Sequence, residues 1–199
     1  MTDCMGDITE LRVLLSLVIV VAFPLVLNRT RFGDKGIRRI TFCSFFIYIT
    51  TVLLITLFCR KPDESNTVIY FDIIKSHRNI WGTIFEGYMT SGIQGAITRY
   101  HWVNGTIEGH TLNTILFIPF GYLLPLQIRK PTKCFLIFLC AFIFSLSIET
   151  TQLFTHRGWF DANDLFHNIL GSWVGWIMYK KLMREISHTQ VGGYDGGKN

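Results

Sequence analysis

Polar residues crowd one stretch of an otherwise apolar chain. SIETTQLFTHRGWFDANDLFHNILG, residues 147–171, holds Glu149, Gln152, Arg157, Asp161, Asp164 and Asn168. Glu149 and Asp164 are the candidates for general acid or base work, because proximity and burial raise one carboxyl of such a pair. Arg157 could grip a carboxylate or another anion through its planar fork. The same acids, with the amide oxygens of Gln152 and Asn168, could hold a hard cation such as Mg²⁺ or Ca²⁺. His156 and His167 are ligand types for a transition metal, but HExxH and other strong ligand spacings are absent, so no metal ion and no cofactor are expected. Ser145 and Ser147 lie nearby without a GxSxG elbow. Amides, acids and an arginine suit recognition of a polar headgroup or peptide at least as well as catalysis. Binding is the favoured reading, and whether the chain is an enzyme stays open.

The spacing puts these groups on shared faces. Glu149 and Gln152 are three apart, hence neighbours on one helix surface. In a helix starting near Asp161, the residues Asp161, Asp164 and Asn168 form an i, i+3, i+7 stripe, with Asp161 or Asn163 as its N-cap. Gly171 and Gly175 extend that side with the small-xxx-small spacing that lets a second helix approach closely. A carboxylate in the middle of a bilayer costs roughly 2.5–3.5 kcal/mol on insertion scales. A mere helix-gluing network would be better made of hydrophobes of similar volume. A purely structural polar cluster is therefore ranked below a functional site.

The elements that must carry these residues read as membrane helices. The chain has 199 residues, 49% hydrophobic and 17% charged, with mean hydropathy +0.34. Soluble domains carry about 25% charged residues. Three runs approach or reach the ~20 residues a spanning helix needs: 11–27, 40–59 and 134–154. The first lacks the basic start and small-x-small site of a signal peptide. Two less pure runs, 111–126 with Asn113, Pro119, Gly121 and Pro125, and 161–179 with His167 and Asn168, complete a count of about five. The net charge of +5 comes with no zinc-finger spacing or RNA-binding aromatic motif, so no nucleic-acid partner is expected. The five cysteines lie mostly in or beside apolar runs, with no CxxC, and read as free buried thiols.

Basic residues set the orientation. Arg29, Arg31, Lys35, Arg38 and Arg39 follow the first span, Arg129, Lys130 and Lys133 the third, and Lys180, Lys181 and Arg184 the fifth. All three clusters fall on one side, which the positive-inside rule makes the cytoplasm. The expected topology is N-out and C-in, with the polar join and a long outer loop, 60–110, facing outward. That loop is too long to be structureless. Its stretch 68–88 fits an interfacial helix or re-entrant segment, and Gly92, Gly95 and Gly105 are expected to break up the rest of the loop. The whole is read as an all-α integral membrane bundle, one domain over 1–186, with 187–199 as a disordered Gly-rich tail.

At this point the motifs acquire a relative. NTILFIPFGYLLP, SIETTQ and RGWFDANDLFHNILG resemble the VanZ-like family of membrane proteins. That family shows an Asn before a FIPFG-type turn, a Ser-x-Glu-x-x-Gln helix end, and an Asp-x-x-Asp-x-x-x-Asn-x-x-Gly stripe. The matching positions are Asn113, Phe117, Pro119 and Gly121; then Ser147, Glu149 and Gln152; then Arg157, Asp161, Asp164, Asn168 and Gly171. The match covers residues 111–178, with its motifs in order across three spans. The resemblance implies a multi-pass bacterial plasma-membrane protein whose founding relatives are associated with low-level resistance to teicoplanin, a lipid-tailed glycopeptide, and little with vancomycin, which lacks the tail. Membrane lipids, a lipoglycopeptide or a lipid-linked cell-wall precursor are the implied partners. The ligand-binding set is then Asn113, Glu149, Gln152, Arg157, Asp161, Asp164 and Asn168. A hydrolase or transferase acting on a lipid-linked substrate is the alternative.

Overall fold

The computed structural model describes residues 34–58, 62, 69–128 and 133–192; the expected span 11–27 lies outside them. Among the described residues the fold is all-α apart from two two-residue strands. Helix α1, Asp34–Leu53, runs into a π-helical turn, Leu54–Phe58. Strand β1, Ile69–Tyr70, leads into α2, Ile73–Gln127. Helix α3, Cys134–Phe154, is followed by β2, Phe160–Asp161, and α4, Ala162–Gly192.

Two helical segments, Arg38–Leu57 and Cys134–Phe154, are long and apolar enough to cross a membrane. Their side chains are distributed as a lipid solvent requires. Phe42, Phe46 and Ile47 of α1, and Phe135, Phe142 and Ile143 of α3, are exposed. Ser44, Ser145, Glu149 and Gln152 are buried instead. The hydroxyls of these helices bond back to their own carbonyls: Thr51 to Ile47, Thr56 to Val52, Thr150 to Leu146 and Thr151 to Ser147. Such back-bonding satisfies a hydroxyl where no water can reach it. The expected run 111–126 is also helical, inside α2, as is the run 161–179 from Ala162 onward, inside α4, and neither is apolar enough to count as a span on composition alone.

The core lies where α1, α2 and α3 meet, around Tyr48, Val52, Phe117, Phe120, Leu123, Ala141 and Ile148. Tyr48, fully buried, donates its hydroxyl to the carbonyl of Leu116 at 3.0 Å and ties α1 to α2. The most extensive helix contact is between α2 and α4. Here the small-residue spacing does what was expected of it. A Cβ on Gly171 would overlap the carbonyl of Thr114, and one on Gly175 the carbonyl of Ile118. From the other side, a Cβ on Gly121 would overlap the backbone of Ser172. The two backbones are therefore in direct contact along the seam.

The described part of the expected loop 60–110 belongs to a helical hairpin, a finding finer than the expected mixture of elements. Residues 73–90 and 93–127 are helical, and the chain reverses at Ser91 and Gly92, where Gly92 has φ +62°. Glycine reaches that region without a Cβ penalty. Gly95 and Gly105 do not break the helix as expected. Gly95 instead faces Gly87 across the hairpin so closely that a Cβ on either would strike the other's backbone. At its base, β1 pairs in parallel with β2, Ile69 opposite Phe160 and Tyr70 opposite Asp161. Rings of Tyr70 and Trp159, and of Phe71 and Phe160, pack there with centroids 5.7 and 5.4 Å apart. At the other end, α4 continues to Gly192, six residues into the segment expected to be a disordered tail. The reason is local, since no proline or glycine falls between Gly175 and Gly192.

Candidate functional site

The join between α3 and α4 is a Schellman-type helix end. The Arg157 N–H reaches back to the Gln152 carbonyl at 2.9 Å, and the His156 N–H to that of Leu153 at 3.2 Å. His156 sits between them at φ 53°, the one non-glycine residue with positive φ among the described residues. This turn aims Arg157 back at α1. Its Nη1 donates to the Leu57 carbonyl at 2.9 Å, and Gln152 Nε2 donates to the Thr56 carbonyl at 2.9 Å. The last carbonyls of any helix lack intrahelical partners. Two residues expected to bind a ligand thus close the π-helical turn that follows α1.

Glu149 is buried, 3% exposed, and its Oε2 accepts the Asp161 N–H at 3.1 Å. That bond brings α3 and the start of α4 together. Asp161 is the N-cap: its Oδ1 accepts from the Asn163 N–H at 2.8 Å and from Asn163 Nδ2 at 2.7 Å. Asp164 occupies the first turn of α4, where a carboxylate suits the helix dipole. One turn deeper, Asn168 Nδ2 donates to Ser145 Oγ at 2.8 Å, and Ser172 donates back to the Asn168 carbonyl. Ser147, from the same motif, is exposed and bonds only to its own helix. Asn113 is half-buried on α2, one residue before the Thr114 carbonyl on which Gly171 packs. Glu149, Asp161, Asn168 and Ser145 are joined through α3 and α4, and Gln152 and Arg157 extend the set to α1. Asn113 stands at the α2 side of the same bundle.

Three amide oxygens are left over. Gln152 Oε1, Asn163 Oδ1 and Asn168 Oδ1 are buried and have no hydrogen-bond partner among the described residues. A buried acceptor without a partner costs about 1–3 kcal/mol.

The structure adds a cluster that sequence spacing does not assemble. His77 on the first arm of the hairpin, His110 on the second, and His167 on α4 converge. Ring centroids are 5.3 Å apart for His77 and His110, 5.3 Å for His77 and His167, and 4.3 Å for His110 and His167. Burial holds the His110 pKa below the ordinary histidine value. Charge repulsion from His167 and His77 pushes the same way, and Asp161 opposes it. His167 stands out in the sequence, yet His77 and His110 carry no local signal, because the hairpin that folds them onto α4 is a tertiary feature.

A bundle of apolar-surfaced helices around a polar join is the architecture of a membrane protein with a buried polar site. The family model of VanZ/LLP1 matches residues 13–184, and the chain belongs to that family. No curated protein and no solved structure matches it.

Proposed function

We propose that this chain crosses a bacterial plasma membrane several times, N-out and C-in, and that its α3–α4 join recognises the polar part of a lipid-tailed or lipid-anchored cell-surface molecule. The observation that carries the reading is the set of three unpartnered buried amide acceptors, Gln152 Oε1, Asn163 Oδ1 and Asn168 Oδ1, at the join that also buries the carboxylate of Glu149. Native proteins rarely leave such atoms unsatisfied. A ligand with hydroxyl or amide donors would complete them, while the apolar outer faces of α1 and α3 would accommodate its tail. Family membership and the two apolar helices support a membrane setting. Lipoglycopeptides of the teicoplanin type and lipid-linked cell-wall precursors have the required chemistry. Glu149 already accepts the Asp161 N–H, which favours recognition over proton transfer.

The test is protection of a susceptible Gram-positive host by wild type, Glu149→Gln and Asp164→Asn at matched membrane levels. Protection against teicoplanin and little against vancomycin, lost in both variants, is the expected result. Full protection by correctly folded variants would make the polar set structural.

A further inference from the structure

We propose that His77, His110 and His167 form a binding site for a divalent metal ion of the zinc class, clamping the base of the outer hairpin to α4. Each histidine offers one ring nitrogen, and the three ligand atoms lie within 4.8 Å of one another. Neutral imidazoles suit zinc and its neighbours among the first-row metals. Three protein nitrogens are also the number a zinc ion takes when its fourth position is open to water or a substrate oxygen.

Two of the three rings are already oriented. His77 Nδ1 lies 2.9 Å from the Ile73 carbonyl, and His167 Nδ1 lies 2.8 Å from the Asn163 carbonyl. A carbonyl can only accept, so in both rings Nδ1 carries the proton and Nε2 presents its lone pair. A ligating histidine is commonly held in this way, with its second nitrogen bonded to a backbone carbonyl. Phe166 adds an apolar wall, edge-on to His77 and His167 with centroids 6.1 and 5.3 Å away. Asp161, caught between Glu149 and Asn163, supplies nearby negative charge.

The rings lie within 18° of parallel. At Zn–N distances of about 2.05 Å, tetrahedral ligand nitrogens sit about 3.3 Å apart. Binding therefore closes the cluster by up to about 1.5 Å and turns the rings until their in-plane lone pairs meet. The terminal torsion of histidine is broad, so His110 can turn furthest while smaller turns of His77 and His167 keep their bonds to Ile73 and Asn163. Two of the three ligands ride on the hairpin. This proposal departs from the sequence expectation of no metal ion, which rested on the absence of strong ligand spacings along the chain. The proposal stands apart from lipid recognition, since uptake is read without any glycopeptide or lipid ligand.

The test uses the full chain, purified in detergent without a polyhistidine tag and stripped with chelator. It is titrated with Co²⁺, whose visible spectrum reports ligands and geometry, and then with Zn²⁺ in competition. One equivalent is expected to bind, with affinity falling about 100-fold or more in each of His77→Ala, His110→Ala and His167→Ala, beyond the 10–100-fold typical of lost outer-shell contacts. His101→Ala, at an exposed position on α2, should bind as wild type does. X-ray absorption on zinc-loaded wild type should show three imidazole ligands, a measurement that needs no variant to fold. No stoichiometric uptake by wild type would overturn the site. So would uptake surviving replacement of two of the three histidines, uptake lost in His101→Ala, or a spectrum lacking imidazole.

Discussion

On the α3 side of the polar join, side chains hold the protein together; on the hairpin side, ring nitrogens face one another across three separate elements. Gln152 and Arg157 close the π-helical turn that follows α1, Asp161 caps α4, and Asn168 binds Ser145. His77, His110 and His167 bring their ligand nitrogens to a common space. Both groups border Asp161, and both look equally functional as residue types. On the α3 side the amide N–H groups and Asp161 are bonded within the protein, while the side-chain oxygens of Gln152, Asn163 and Asn168 are left over. On the hairpin side the histidines meet as candidate ligand atoms. An acid or amide whose bonds are complete is part of the scaffold, and an atom still lacking one is where a ligand adds most.

That distinction can be broken or sharpened by substitution. The largest effect should come from the seam that supports both groups. Gly171→Leu drives a side chain into the Thr114 carbonyl, and an overlap with backbone that cannot move belongs at the upper end of overpacking costs, about 3 kcal/mol or more. Little folded protein should be recovered from membranes, and wild-type recovery would show that the helices can separate without loss. Next comes Gln152→Ala, which leaves the Thr56 carbonyl without its partner and should lower stability in detergent by about 1–3 kcal/mol. Thermal unfolding unchanged from wild type would mean that Gln152 belongs with the ligand-facing atoms. Asp161→Ala removes the α4 cap and should cost about 1 kcal/mol. Asp161→Asn, which keeps an acceptor, should cost less. Smallest of all, His77→Ala should change metal-free stability by no more than about 1 kcal/mol, as half-buried positions outside the core usually do. A larger loss in the absence of metal would assign the histidines to the scaffold and erase the contrast.

Much of the framework was legible in the sequence. The apolar, uncharged run beginning at Ile40 and the run from Cys134 to Phe154 could hardly be anything but long helices, because only a helix satisfies its backbone within an apolar segment. The spacing of Gly171 and Gly175 announced a close helix contact, though which helix would fill it was decided by α2. Asp161 and Asn163 were equal candidates for the N-cap, and hydrogen-bond geometry chose Asp161. The hairpin was harder to read. Gly92, Gly95 and Gly105 look alike as helix breakers, yet only the chain at Gly92 turns, because Gly95 sits where two backbones must touch.

By itself, then, the sequence determined the composition of the polar join, the helical character of its supports and the VanZ/LLP1 motifs that run through them. Those follow from local periodicity and from which residue types tolerate an apolar surround. The roles within the join were decided only by tertiary structure. Gln152 and Arg157 became partners of backbone carbonyls because the π-helical turn that follows α1 was brought within their reach. Three histidines became a cluster because a reversal at Gly92 folded residues distant in sequence onto one turn of α4. A ligand set of that kind depends on distances across elements, which no spacing along a single helix records.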